Sequence, residues 1–306
     1  MTSLEIQNIF ENLDTSKLFG CDCSAANIFL YQKYQNISFE IKNNVFFRYY
    51  EKSQDFQKIA FPLCFKNASQ DYLFFVLENI IQNLIKTEFC LCTESQTKLI
   101  DNILNIHFPE YHIKWESDRS QSDYLYLQEK LSMLQGQTYQ KKKNHVLHFC
   151  KTYENQWEFV YFDKNTITEK QKNNILSVEE NWFREKNAQS EQSLLDEKEI
   201  INTAVQYFEP LNLKGAVLYL QNKPVAMTLA SPISPSVLDI HFEKSLAEPA
   251  KNGAYAAINQ FFAQKCSSYK YINREEDLGI PGLRKAKLSY KPDIILDKFS
   301  GILEKK

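Results

Sequence analysis

Tyr271-Ile-Asn-Arg-Glu-Glu-Asp-Leu-Gly-Ile-Pro-Gly-Leu-Arg-Lys-Ala-Lys-Leu-Ser-Tyr290 concentrates charge and punctuation as no other stretch of the chain does. Four consecutive charged residues, Arg274 to Asp277, precede a basic cluster at Arg284, Lys285 and Lys287. Between them lie two of the chain's seven glycines, Gly279 and Gly282, and a proline. Glycines this close mark a backbone that turns sharply or approaches a neighbour closely. Pro281 suits the first turn of a helix, where its missing N–H has no helical partner in any case. The pattern predicts a short strand at 269–272, a charged turn, and a short helix at 280–288. On that helix Arg284 and Lys287 share a face, while Leu283 and Ala286 are expected to pack inward. A solvated charged loop is the competing reading.

The segments on the N-terminal side of this stretch carry a repeated order. Runs at 215–220, 225–230 and 237–243 read as three consecutive strands, with turns at Asn222-Lys223-Pro224 and at 231–236. A helix at 253–264 and the strand at 269–272 follow. In the first half, an interrupted helical segment over 1–36 precedes β-rich runs at 37–41 and 45–50. Lys42-Asn-Asn44 joins them, and asparagine tolerates the positive φ of a tight hairpin turn. An edge strand at 60–64 comes next, then an amphipathic helix at 71–86, with Leu73, Val76, Leu77, Ile80, Ile81 and Leu84 at helical spacing. A strand at 89–93, a helix at 96–106 and a strand at 111–116 complete the alternation. Strand–strand–strand–helix–strand thus occurs in each half, an α/β (α+β) pattern. Residues 123–135 read as helix stopped by Gly136, 141–149 as helix and 157–162 as strand. Residues 168–207 read as two polar helices with an exposed junction near Gln189-Ser-Glu-Gln192. The division expected is an N-terminal domain at 1–165 and a C-terminal domain at 166–306, with the helical segment at their junction.

A chain of 306 residues with 43% hydrophobic and 24% charged content fits about two globular domains. Its net charge of −2 gives the whole molecule no pull toward nucleic acid or anionic lipid, so any such attraction must be local. No apolar run is long enough to cross a bilayer, and no basic stretch followed by an apolar block opens the chain; a cytoplasmic protein is expected. Seven cysteines should then be reduced thiols. Cys21-Asp-Cys23 and Cys90-Leu-Cys92 could together ligate zinc, but their spacing is not that of common zinc modules, and no metal is expected. No phosphate-binding glycine loop, dinucleotide fingerprint, G-x-S-x-G or H-E-x-x-H is present.

Three places can carry chemistry. In Val237-Leu-Asp-Ile-His-Phe-Glu243, alternation puts Leu238, Ile240 and Phe242 on one strand face and Asp239, His241 and Glu243 on the other. If that second face is covered, its three titratable groups must be paired or perturbed, as in a binding or acid–base site. Glu248-Pro-Ala-Lys-Asn-Gly-Ala-Tyr255 leads into a helix whose N-terminus, with Lys251 and Gly253, suits phosphate or carboxylate. The basic run Lys141, Lys142, Lys143 and Asn144 could receive a nucleic-acid backbone, or could be a solvated helix face.

Ile240-His-Phe-Glu-Lys244, Gly253-Ala-Tyr-Ala-Ala-Ile-Asn259, Tyr271-Ile-Asn-Arg-Glu-Glu-Asp-Leu-Gly279 and Gly282-Leu-Arg-Lys-Ala-Lys-Leu-Ser-Tyr-Lys-Pro292 resemble the soluble bacterial family related to the C-terminal domain of phosphatidylglycerol lysyltransferases. Ser122-Asp-Tyr-Leu-Tyr126, Leu131-Ser-Met-Leu-Gln-Gly136 and Lys141-Lys-Lys-Asn-His145 extend the likeness over nearly the whole chain. Lys142-Lys143-Asn144 stands where the family typically has Lys-Arg-Asn, which keeps the charge and loses the planar guanidinium fork. The resemblance implies two tandem GNAT-like domains, each a mixed sheet flanked by helices. It also implies transfer of an aminoacyl group from aminoacyl-tRNA to an amine or hydroxyl; it does not itself imply a lipid acceptor, and the acceptor expected is a small molecule or a lipid headgroup. On this reading Glu243 is a base or amine-binding carboxylate with His241 beside it. Asp239, Tyr255, Asn273, Arg274, Glu275 and Asp277 bind the donor's ammonium or the acceptor, and Arg284 and Lys287 meet phosphate or oxyanion charge. Acyl-CoA as donor, and a non-catalytic module binding a small ligand, are the alternatives.

Overall fold

The computed structural model describes residues 1–186 and 191–306; of the expected junction, Gln189 and Ser190 lie outside the described residues. Thr2 caps α1 (Ser3–Asn12) with a reciprocal Thr2–Glu5 capping box, and Ser24 caps α2 (Ala25–Tyr31). Then come β1 (Ser38–Lys42), β2 (Val45–Lys52), β3 (Phe56–Ala60), β4 (Leu63–Cys64), α3 (Tyr72–Gln82), β5 (Lys86–Thr93) and α4 (Glu94–His107). The middle of the chain forms β6 (Tyr111–Ile113), β7 (Glu116–Ser117), β8 (Asp123–Leu127), α5 (Gln128–Met133), α6 (Gln140–Thr152), β9 (Trp157–Asp163), α7 (Glu169–Glu185) and α8 (Gln192–Gln206). The last third forms β10 (Lys214–Leu220), β11 (Lys223–Ser234), β12 (Val237–Ser245), α9 (Ala247–Lys251), α10 (Ala254–Lys265), β13 (Tyr271–Asn273), α11 (Pro281–Leu288), β14 (Ile294–Leu296) and β15 (Lys298–Lys305).

The fold is α/β, with two mixed sheets. The first runs β1-β2-β3-β5-β15-β6, with β4 on β2 and β7 on β15; the second runs β14-β8-β13-β12-β11-β10-β9. In each, three consecutive antiparallel strands are followed by helix and then by a strand parallel to the third: β5 on β3, and β13 on β12. Parallel neighbours need a crossover, which α3 supplies in one sheet and α9–α10 in the other. The hairpin turn at Asn43 and Asn44 has φ of 53° and 59°, as the sequence pattern requires.

The strands are not shared out at residue 165. β8 and β9, from the first half, belong to the second sheet, and β15 at the C-terminus sits in the middle of the first. Helix α2, near the N-terminus, packs on the second sheet beside α8. Residues 123–127 are a strand and not the start of a helix. Tyr124 and Tyr126 face the apolar layer under α10, while Leu125 joins the core of the first sheet. A run buried on both sides shows no alternation, so periodicity could not separate strand from helix. The other face of the second sheet packs against α2, α7 and α8. Among the described residues, no helix is long and apolar enough to cross a membrane.

Candidate functional site

β12 carries a β-bulge at His241. Phe242 pairs with Leu229 and Ile240 with Ala230, so His241 is the extra residue. One inserted residue reverses the alternation beyond it. Leu238 and Ile240 therefore face the α10 side, whereas Phe242 faces α7 and α8. Asp239 and His241 stay on the α7–α8 face. Glu243 passes to the other side, where it meets α10. The expectation of one shared face for Asp239, His241 and Glu243 is corrected on this point.

On the α10 side, Glu243 accepts hydrogen bonds from Arg274 Nη2 and from Asn259 Nδ2, each at 2.9 Å. Burial is the largest influence on Arg274 and works against its charge, but Glu243 leads the neighbouring groups that together outweigh it, and Arg274 is held cationic. The guanidinium lies 4.9 Å from the Tyr290 ring centre, and Lys142 Nζ lies 3.9 Å from the same ring. Lys142 is pushed down to about 8, by burial first and then by Arg274. Three polar atoms around Glu243 have no hydrogen-bond partner among the described residues: Arg274 Nη1, Asn259 Oδ1 and, on the strand residue paired with Glu243, Thr228 Oγ1. Unpaired buried polar atoms are costly, so their clustering marks a place suited to a polar ligand group.

On the opposite face, Asp239 is fully buried and neither of its oxygens has a hydrogen-bond partner among the described residues. Burial first, then Glu275 and Asp123, pushes its carboxyl well above the ordinary range. His241 Nδ1 lies 3.1 Å from Glu275 Oε1 and 3.5 Å from Asp239 Oδ2. Glu275 adopts φ of 56°, and its N–H donates to Asn273 Oδ1 at 2.7 Å; Asn27 Nδ2 donates to its carboxylate at 3.2 Å. Left-handed backbone at a non-glycine residue costs about 1–2 kcal/mol and here re-aims the carboxylate toward His241. Asn273 Nδ2 in turn donates to Asp123 Oδ2 at 2.8 Å. Asp123 pairs with Lys298 Nζ at 2.7 Å, and Cys21 N–H donates to it at 2.7 Å.

The short helix α11 turns its basic side inward. Lys287 is buried and donates to the carbonyls of Arg274 and Glu276, while Ala286 is exposed, contrary to the expected packing. Arg284 does not reach Glu243. It forms a fork with Asp277, Nε–Oδ2 at 2.7 Å and Nη2–Oδ1 at 2.9 Å. Tyr124 OH and the Gly279 N–H also donate to Asp277. Arg284 first, with these donors, holds the Asp277 carboxyl well below the usual range, against its burial. A carboxyl depressed in the folded state stabilises above its unfolded pKa, about 4, and that stability is lost as pH falls through the folded value. Asp277→Asn should lower stability by about 1–3 kcal/mol at pH 7, with the difference from wild type shrinking below about pH 4. Urea melts at pH 7 and pH 3 measure both, and a pH-independent difference would contradict the pairing.

Of the remaining expected residues, Tyr255 is half-buried on α10, and Lys141, Lys143, Asn144 and Lys251 are exposed, with only Lys142 of the basic run turned inward. Gly253 is set by packing, since its φ is 102° and an added Cβ would lie 2.2 Å from the His145 carbonyl oxygen. All seven cysteines are free thiols, and Cys23 and Cys92 lie in the same apolar core. Ligand atoms close enough to share an ion occur, among the described residues, at Cys21–Asp123–Glu276 and Asp239–His241–Glu275. The first already receives the Lys298 ammonium, 3.2 Å from Cys21 Sγ. Thr228, Ser231 and Lys298 had no motif to betray them, while Asp123 and Tyr290 stood in quoted motifs without an assigned role. Asn259 lay within a quoted motif, unassigned.

The chain is 28% identical to a conserved protein of unknown function from Bacteroides thetaiotaomicron, whose crystal structure superposes with a TM-score of 0.83 over 99% of this chain and 98% of that one. It is 21% identical over 248 residues to an uncharacterised protein of Mycoplasmoides gallisepticum, covering 79% of this chain and 74% of the other. The structure of L-PGS from Bacillus licheniformis matches with a TM-score of 0.61 at 11% identity, over 97% of this chain and 90% of that one, a likeness of fold. The profile of the family described as phosphatidylglycerol lysyltransferase, C-terminal, matches residues 14–300, and the protein belongs to that family.

Proposed function

We propose that the protein is a GNAT-like acyltransferase that moves an aminoacyl group from aminoacyl-tRNA to an amine or hydroxyl acceptor, a small molecule or a lipid headgroup. The observation that carries this reading is the buried cluster around Glu243, where the Arg274 guanidinium leaves Nη1 without a partner beside a carboxylate. Attack on an ester carbonyl builds negative charge on its oxygen and positive charge on an attacking amine. Arg274 Nη1 is placed to receive the first, and Glu243 the second or the departing proton. Lys142, close to its titration point at neutral pH, can serve as base on the same wall. The family supports transfer of an aminoacyl group.

Aminoacyl-tRNA is favoured over acyl-CoA because the start of α10 is closed by its contact with His145, leaving no open phosphate cradle at Gly253. Arg274→Lys and Glu243→Gln should each slow transfer from charged tRNA by about 100-fold or more, with thermal melts confirming that each variant folds. Failure of wild-type protein to bind any charged tRNA at low salt, where phosphate contacts are strongest, would remove the tRNA donor. Thermal stabilisation by CoA and not by tRNA would replace it with an acyl thioester.

A further inference from the structure

Across β12 from Glu243, His241 links two groups through its two ring nitrogens. Nε2 lies 2.8 Å from Ser231 Oγ, and Nδ1 lies 3.1 Å from Glu275 Oε1 with Asp239 Oδ2 behind it at 3.5 Å. A carboxylate oxygen at hydrogen-bond distance calls for a proton on Nδ1. That leaves the Nε2 lone pair facing the Ser231 hydroxyl, the tautomer in which imidazole accepts a serine proton. The bulge at His241 and the left-handed Glu275 are what bring the three together. Ser231 is buried, and it forms part of the wall of a cavity of about 310 Å³ bounded also by Gln7, Ala25, Ala26, Ile233 and Tyr269. That volume lies at the small end of the range of ligand pockets and has room for a small ester.

We infer that Ser231, His241 and Glu275 form a nucleophilic relay that cleaves small carboxylic esters through an acyl-serine. Ser231 Oγ bonds to the ester carbonyl carbon as its proton passes to His241 Nε2. The carbon–oxygen bond to the alcohol then breaks, and the alcohol leaves with that proton. Water attacks the acyl-serine, gives a proton to Nε2, and the carboxylic acid departs as Ser231 recovers it. His241 is the general base, and Glu275 positions it. The centre lies on the opposite sheet face from the Arg274–Glu243 pair and needs no tRNA, so it stands apart from the aminoacyl-transfer reading.

Diisopropyl fluorophosphate tests it on the full chain. Oγ–P forms, P–F breaks, and fluoride leaves while the serine proton goes through His241 to solvent. Intact-mass spectrometry should show one diisopropylphosphoryl group per chain, mapped by peptide sequencing to Ser231 and absent in Ser231→Ala. His241→Gln, checked for folding by its thermal melt, should label about 100-fold more slowly or worse, the range general bases supply. The relay is overturned if wild type remains unlabelled at Ser231, or if folded His241→Gln labels at the wild-type rate. It is equally overturned if one equivalent of zinc binds wild type but not His241→Gln, since a metal at Nδ1 requires the other tautomer.

Discussion

Lys298→Met should destabilise the protein by about 3–5 kcal/mol at neutral pH, the cost of stripping the cation from a buried ion pair. Lys298 is 4% exposed at the start of β15, and it pairs with Asp123 at 2.7 Å and Asp22 at 3.3 Å. Its ammonium therefore pins the C-terminal strand of the first sheet to β8 of the second and to the turn that precedes α2. Burial opposes its charge, but Asp123, Cys21 and Asp22 together hold it well above the ordinary lysine range. A group raised in the folded state gives its full stability below its unfolded pKa and loses it only as pH climbs through the folded value. In wild type, with its carboxylate partners ionised, this contribution is thus constant from about pH 5 to about pH 10. In Lys298→Met the orphaned carboxylates bind protons more readily folded than unfolded, so the variant should lose stability as pH rises from 5 to 8. Denaturant melts at both pH values measure this. Adding Asp123→Asn should recover part of the loss, and a cost under about 1 kcal/mol for Lys298→Met would show that the pair does not hold the sheets together.

Gly253→Ala is expected to cost about 2–5 kcal/mol, from two additive sources. The φ of 102° is left-handed, which an L side chain resists, and the new methyl would meet the backbone of His145 at 2.2 Å. Backbone cannot swing away as a side chain can, so α6 must shift off α10. Lys142 sits on α6, and its place over the Tyr290 ring should be lost with the shift. The variant should therefore show a lower melting temperature together with slower transfer at temperatures where it remains folded. Wild-type stability in Gly253→Ala would mean that the two helices do not pack this closely.

Local patterns in the chain account for much of the fold. The Asn43–Asn44 hairpin, the apolar stripe of α3, Pro281 at the start of α11 and the three strands β10 to β12 all follow from rules acting within a few residues. Asp239, His241, Glu243, Arg274 and Glu275 stood out because charged and titratable groups were crowded into two short stretches, and all five prove to be wholly or largely buried. Their partnerships were another matter. Glu243 was expected beside His241, but it meets Arg274 and Asn259, while Arg284, expected to meet phosphate or oxyanion charge, meets Asp277.

Strand alternation, helical stripes, turns and the family resemblance are legible in the amino-acid order itself, because each depends on residues close along the chain or on long motifs kept intact. Which faces the charged groups occupy was decided only in three dimensions. A single bulge at His241 reverses which face every later side chain of β12 occupies, and it arises from how β11 and β12 register against each other under α7, α8 and α10. The same holds for Lys298, an unremarkable lysine in sequence, whose buried place follows from a C-terminal strand that returns to the first sheet. Pairings between residues more than a hundred positions apart leave no local trace, since their energy exists only after the sheets have met.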